Sequence, residues 1–357
     1  MYRGKGKRVA VFSAAVLFGM LPFLSGCAAS QNGKETENVK QSVSGWTEEE
    51  GTPVACLGEK PIYLEEALFY TRMLQEQWEQ AYYENFGSDM WEQEASEDGR
   101  TLEEMLKADV MSLLTELHLL ENHAEEYGVQ LTEEEQAVIA DRAQNFMESN
   151  TQAVLEAAGA TRESVECYLS RNELAGKTAE QIQNAYEPQL KEEDARVGKL
   201  TYCLFSTRGT YDLEGNHTPF TDEEILQIEQ EAQQFAARAQ ELGDISAAGE
   251  EASHTAIDAY FNDSADGGVH PDVADAVRAM ETGQVSDVIR TDDGWYVVQR
   301  VSDFDESATE DNLEAMIQQA KEEYLLELET EWEKETPLVI EEEVWNGVRV
   351  DEILTEM

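Results

Sequence analysis

Two stretches of this chain alternate in the β-rich manner of strands: Val197 to Phe205 (Val-Gly-Lys-Leu-Thr-Tyr-Cys-Leu-Phe) and Gly294 to Val301 (Gly-Trp-Tyr-Val-Val-Gln-Arg-Val). They constrain the fold most, because nearly every other periodic segment repeats at helical spacing. Between them lie a loop from Gly209 to Pro219, a helix opened by Thr221 with Glu224 and running to about Leu242, and an irregular stretch. A short helix from Asp272 to Met280 follows. A β-α-α-β order over about 110 residues fits a small α+β domain.

The flanking sequence is helical. After a short extended piece from Val54 and a turn at Gly58, a helix is predicted from about Ile62 to Tyr83, with Leu64, Leu68, Thr71 and Leu74 on its apolar stripe. Gly87 to Gly99 reads as a loop. The strongest helix runs from Leu102 to Tyr127: Leu102, Leu106, Val110, Leu113, Leu117 and Leu120 share one face, and Gly128 suits the position after a helix end. Thr132 and Glu135 form a capping box for the next helix, to Met147. Another follows from Arg162 to Tyr186. A long helix from Asn312 to Glu335, with Leu313, Ile317, Ala320, Tyr324 and Leu328 inward, ends before Pro337. Having no partner of its own, it is expected to pack back on the first lobe, which makes the middle domain an insertion.

The first eight residues carry Arg3, Lys5, Lys7 and Arg8 and no acid, and an apolar run follows from Val9 to Leu24. At roughly 16 residues this run is short for a spanning helix and suits a signal peptide. It ends in Leu24-Ser25-Gly26-Cys27, which resembles the bacterial lipobox. That resemblance implies cleavage before Cys27, lipid on its thiol and attachment to the extracytoplasmic face of the cell membrane. Two or more acyl chains anchor stably where one does not. Residues 28 to about 50 are polar and read as a flexible tether.

Formal charge is −51; the segment to Gly26 holds four cations and no acid, which leaves −55 on the rest. Such a charge argues against nucleic acid or an anionic lipid surface as partner. It favours basic clients or a cation-rich wall matrix, with a solvated, soluble surface as the plain alternative. Cys56, Cys167 and Cys203 lack CxxC or metal-type spacing, and His118, His123, His217, His254 and His270 form no HExxH-like set, so neither a metal nor a cofactor is expected. Ser206, Ser253 and Ser286 lack nucleophile-elbow context. The acidic runs Glu133 to Glu135 and Glu341 to Glu343 have no EF-hand spacing and read as solvated faces. Aromatics on the first helix (Tyr63, Phe69, Tyr70, Trp78, Tyr82, Tyr83) cover more than one face, leaving some for a client-binding surface.

Three motifs in the middle segment carry a resemblance. They are Gly243-Asp244-Ile245-Ser246-Ala247-Ala248 at the end of its first helix, Met280-Glu281-Thr282-Gly283-Gln284-Val285-Ser286, and Thr291-Asp292-Asp293-Gly294-Trp295-Tyr296-Val297-Val298. In this order they resemble the parvulin (PpiC-type) peptidyl-prolyl isomerase domain. The helical part, with Gly128-Val129-Gln130-Leu131-Thr132-Glu133-Glu134, is similar to the chaperone lobe of PrsA- and SurA-type foldases. The resemblance implies an α+β chain in which a mostly helical chaperone lobe, N-terminal helices plus C-terminal helix, carries an inserted parvulin-like domain. The implied boundaries are 1–26 for the signal peptide, 27–50 for the tether, 51–195 for the helical lobe, 196–304 for the parvulin-like domain and 305–357 for the returning helix and tail.

Parvulins carry one histidine in the first strand and another in the last. Here the matching positions hold Tyr202 and Tyr296, the family's acid or cysteine after the mid-domain serine falls at Thr255, and a pocket phenylalanine falls at Arg278. The resemblance further implies a substrate pocket at Met280, Val277, Phe261 and Arg278. It also implies unfolded or newly exported polypeptides as partners, with no nucleic acid, while a homodimer stays open. A folding factor whose parvulin-like domain binds proline segments with little turnover is expected. An active isomerase and a non-catalytic adaptor lipoprotein of the envelope are the alternatives.

Overall fold

The chain divides into two compact units, Met1–Glu187 with Lys321–Met357, and Pro188–Ala320. The computed structural model describes residues 51–350 apart from 97, 212–214 and 263–267, so the signal peptide, tether and Cys27 lie outside the described residues. The architecture is α+β: helices dominate, with small antiparallel sheets.

The first unit opens with a hairpin, β1 (Pro53–Leu57) and β2 (Lys60–Tyr63), followed by α1 (Leu64–Phe86). Helix α1 starts at Leu64, after the predicted Ile62, because Ile62 and Tyr63 are held in the hairpin, opposite Ala55 and Pro53. The expected loop after Phe86 contains a 3-10 segment, Gly87–Glu92, which buries Met90 and Trp91. Helix α2 (Leu102–His123) stops before the predicted Tyr127. Its chain first tightens into turns at Glu126 and Gly128, then closes with the Val129 N–H donating to the Ala124 carbonyl around Gly128 at φ 69°. Helices α3 (Glu133–Ser149), α4 (Gln152–Ala157) and α5 (Arg162–Ala185) complete this part. Capping boxes at Thr101/Glu104 and Thr132/Glu135 start α2 and α3 by satisfying two otherwise orphaned N–H groups each.

Leu106, Val110, Leu114, Leu117 and Leu120 of α2 form the centre of this core, with Tyr70 and Leu74 from α1 and Ile182 from α5. Polar groups are buried there too. Arg171 on α5 pairs with Glu66 on α1 and, at 2.7 Å, with Glu121 on α2, and His118 lies 3.0 Å from Glu66. Burial lowers the Arg171 guanidinium to about 10 and also lowers the His118 imidazole. The long helix α9 (Glu306–Glu335) enters the first unit from Lys321 onward. There Tyr324 stacks on Tyr186 at 4.1 Å and Trp332 on His123 at 3.9 Å. Strand β9 (Leu338–Ile340) then pairs antiparallel with β1. The short α10 (Glu342–Trp345) brings Trp345 under Lys107, 5.2 Å from the ring centroid.

The second unit is built on a four-stranded antiparallel sheet in the order β6-β3-β8-β7. Its strands are β3 (Gly198–Ser206), β6 (Ile257–Phe261), β7 (Ile289–Arg290) and β8 (Gly294–Ser302), with a small β4 (Thr210–Tyr211) and β5 (His217–Thr218) hairpin beside them. Helices α6 (Asp222–Leu242) and α7 (Ile245–Ala252) cover one face, and α8 (Pro271–Ala279) covers the other. The stretch read as irregular therefore contains an edge strand. Strand β6 escaped notice because it is mostly exposed and its register with β3 is held by polar contacts. Thr201 donates to Asp258 at 2.6 Å and Lys199 pairs with Asp258 at 2.7 Å. Among the described residues no helix is long and apolar enough to cross a membrane, and no group of three potential metal ligands comes together.

Two outcomes follow from the buried charges. Replacing Arg171 by Met leaves Glu66 and Glu121 without their cation in a dry site, a loss of about 3–5 kcal/mol by comparison with other broken buried pairs. Urea unfolding followed by tryptophan fluorescence reads it; an unchanged midpoint contradicts it. The second outcome concerns Glu329 on α9, whose Oε1 is buried with no hydrogen-bond partner among the described residues. Burial first, then the nearby Glu116 carboxylate, pushes its carboxyl up to about 8 from 4.5. Such a group holds its proton more tightly when folded, and the stability this confers is complete below pH 4.5 and lost as pH rises through 8. Glu329→Gln should therefore be more stable than the parent by a margin that grows from pH 4.5 to 8 and then levels off. Parallel pH profiles for the two proteins would contradict this.

Candidate functional site

Strand alternation sorts β3 and β8 onto two faces. Cys203, Phe205, Trp295 and Val297 pack with α6 and α7. Leu200, Tyr202, Leu204, Tyr296 and Val298 face the other way, toward α8. The antiparallel register sets Leu204 opposite Tyr296 and Tyr202 opposite Val298. The diagonal pair Tyr202 and Tyr296 thus meets on one face, with ring centroids 5.4 Å apart and planes at 42°. Tyr296 is buried and Tyr202 half-buried. Neither hydroxyl is hydrogen-bonded to another described residue. Burial, with smaller contributions from Asp293 and Tyr202, holds the Tyr296 phenol above its ordinary value. At neutral pH it is a neutral donor, not a base.

The motifs that frame this pair have identifiable mechanical roles. Gly294 sits at φ 143° where any Cβ would strike the Phe205 carbonyl, so the turn into β8 requires glycine and fixes where Tyr296 begins. Ser286 is tied to Val298 twice: its N–H donates to the Val298 carbonyl at 2.8 Å, and its hydroxyl accepts from the Val298 N–H at 3.0 Å. Gln299 joins the other two motifs, accepting from the Ile245 N–H at 3.0 Å and donating to the Gly243 carbonyl at 2.8 Å and the Gly283 carbonyl at 3.3 Å. Arg300 donates to the carbonyls of Val277, Arg278 and Met280, closing the C-terminus of α8, and its guanidinium lies 5.3 Å over the Phe261 ring. Helix α8 is thereby clamped across the tyrosines.

Of the expected site residues, Tyr202, Tyr296, Val277, Met280 and Phe261 come together in this one apolar cluster. Arg278 points to its edge, donating to the Asn262 carbonyl at 3.1 Å and pairing with Asp275 at 2.8 Å. The inward positions of α8 are Val273, Ala274 and Val277, and Val269 just before the helix joins them. Three of these were not singled out from the sequence, although a helical wheel through Val277 points back to Val273. Thr255 stands exposed in the segment before β6. Ile257, directly opposite Tyr202 across the strand pair, is 44% exposed and forms an apolar rim.

The histidines stand elsewhere. His254 lies against Phe205, 4.6 Å between centroids, and 3.0 Å from Glu231, on the face opposite the tyrosines. His270 caps α8 and lies 3.0 Å from Asp292. Cys203 is buried between strand and helix, where desolvation pushes its thiol up to about 11, out of the nucleophilic range.

Residues 205–316 match the family model for the PPIC-type PPIase domain. The match begins inside β3, so it includes Tyr296 and Thr255 but starts after Tyr202. No curated protein matches the chain. Among solved structures, foldase protein PrsA from Lactococcus lactis is similar at 13% identity, with 82% of this chain and 96% of that one covered and a TM-score of 0.34. PrsA from Streptococcus pneumoniae gives 17% identity, 72% and 99% coverage, and a TM-score of 0.31. A structure from work on the SurA-like chaperones PEB4 and Cj1289 of Campylobacter jejuni gives 10% identity, 81% and 98% coverage, and a TM-score of 0.28. Through the segment 205–316, the second unit belongs to the PPIC-type peptidyl-prolyl isomerase domain family.

Proposed function

We propose that this chain is a membrane-tethered extracytoplasmic folding factor of the PrsA type. On this reading its helical lobe holds unfolded, newly exported polypeptides, and its PPIC-type domain binds proline segments with little or no turnover. Lipid on Cys27 and a tether to about residue 50 would keep both units near the membrane surface where exported chains emerge. The observation that carries the reading is the Tyr202–Tyr296 pair on the α8 face of a PPIC-type domain.

Prolyl isomerisation breaks no bond. An enzyme has only to lower a rotational barrier of about 18–20 kcal/mol by favouring the twisted amide. An apolar slot for the ring and hydrogen bonds that strengthen at the twisted geometry suffice. The residues this reading assigns to the slot, Val273, Val277, Met280 and Phe261, pack in one apolar cluster. The tunable hydrogen bonds are not, because a phenol offers one hydroxyl and cannot exchange tautomers as two facing imidazoles can. Phenols are also larger than imidazoles, and Tyr296 is already buried. Binding without strong differential stabilisation of the twisted state yields affinity and no rate.

The test is cis/trans exchange of a proline tetrapeptide followed with the full chain, beside a variant carrying Tyr202→His and Tyr296→His. The parent should leave the exchange within about twofold of its uncatalysed rate, tens to hundreds of seconds, and the double variant should accelerate it. Strong acceleration by the parent establishes the active-isomerase alternative instead. The same full chain should suppress aggregation of an unfolded client; failure to bind any unfolded chain removes the folding-factor reading.

A further inference from the structure

Residues 73–99, the second half of α1 and the segment after it, contain eight acids and no lysine, arginine or histidine. Within this stretch the aromatic side chains make a continuous ladder. Trp91 is buried and stacks on Trp78 at 6.3 Å with planes 18° apart. Trp78 meets Tyr82 edge-on at 5.7 Å, and Tyr82 meets Phe86 at 6.4 Å. Positions 78, 82 and 86 are four residues apart, so one helix face carries all three. The ladder runs from the core outward: Trp78 packs against the core, whereas Tyr82 and Phe86 are 40% and 41% exposed. Exposed carboxylates stand along the same stretch, at Glu76, Glu84, Asp89, Glu92 and Glu94.

An exposed ring in a segment of strong negative charge attracts a cation twice, through the π face and through the longer-range field of the surrounding carboxylates. The charge also sorts possible occupants. A second copy of this chain, at −51, brings like charge to the surface. The chain's own last residues, Asp351 to Met357, include two further acids in Asp351 and Glu352 and another in Glu356, and no cation. Nucleic acids and anionic lipids are repelled for the same reason. A polypeptide segment carrying arginine or lysine among apolar residues matches both halves of the surface. We propose that the Trp78–Tyr82–Phe86 ladder, in the field of the surrounding carboxylates, forms a docking surface for cationic, unstructured polypeptide segments. This rests on the folding-factor reading and names the client class and the place where clients are held. Cationic side chains lie over Tyr82 and Phe86 while neighbouring apolar residues cover the edge of Trp78.

The test uses the full chain and two short, unstructured, tryptophan-free peptides, one alternating arginine with leucine and one with glutamate at each arginine. Tryptophan fluorescence reads the binding. The arginine peptide should bind at least about tenfold more tightly, with an affinity that falls as salt is raised. The double variant Tyr82→Ser with Phe86→Ser should weaken it by about tenfold, two exposed cation–π contacts' worth. Circular dichroism should stay unchanged, since both rings are already partly in solvent. Equal affinity for the two peptides, no binding of either, or arginine binding unaffected by the double variant overturns the proposal. Aggregation suppression of an unfolded client separates the two claims. If the full chain still protects the client while any of those results is obtained, only this surface is wrong; if protection is absent as well, the folding-factor reading fails with it.

Discussion

The functional unit depends on the antiparallel pairing of β3 with β8. Side chains alternate faces along a strand, so a slip of one residue in this register would send Tyr202 or Tyr296 to the α6 side and break up the apolar cluster. The chain protects the register from several directions. Gly294 allows the turn to close against Phe205, Ser286 holds Val298 by two hydrogen bonds, and Gln299 ties the turn after α6 to the turn at Gly283. The three short motifs that mark the family in sequence are thus the fasteners of one strand pair. They hold the sheet, whatever the sheet then presents.

What it presents differs from a pair of imidazoles in two physical respects. Phenols are larger than imidazoles and carry a single hydroxyl each, and burial holds the Tyr296 phenol above its ordinary value. The apolar cluster under α8 leaves Tyr202, Ile257 and Met280 partly exposed at its edge. These two differences are what the proposed reading of a binding module rests on.

Much of this was legible in the sequence wherever local chemistry decides. Thr132 with Glu135 and Thr221 with Glu224 cap their helices as their spacing predicts, because a capping box is settled within four residues. Strands β3 and β8 were legible from their alternation, whereas the pairing of Tyr202 with Tyr296 was implied by the family resemblance. The misreadings fall where distant contacts decide. Strand β6 alternates poorly, being an edge strand, and owes its place to Thr201 and Lys199 on β3. Gly87–Glu92 is rich in turn formers, yet Trp91 is drawn inward by Trp78. Arg278 occupies a position chosen by counting back from a motif, whereas the helical repeat through Val273 and Val277 identifies the side that meets the sheet. The buried Glu66–Arg171–Glu121 network joins three helices whose sequences give no sign of one another.

The central claim, a proline-binding face without turnover, is open to one direct measurement. Isotope-labelled chain is titrated with a proline-containing peptide, and two-dimensional NMR follows both the protein amides and exchange between the peptide's cis and trans signals. The result expected is a set of shifts on β3, β8 and α8, centred on Tyr202, Val273, Val277 and Tyr296, while the cis and trans signals exchange no faster than in free peptide. Unperturbed amides on that face, or perturbed amides with rapid cis/trans exchange, would contradict it.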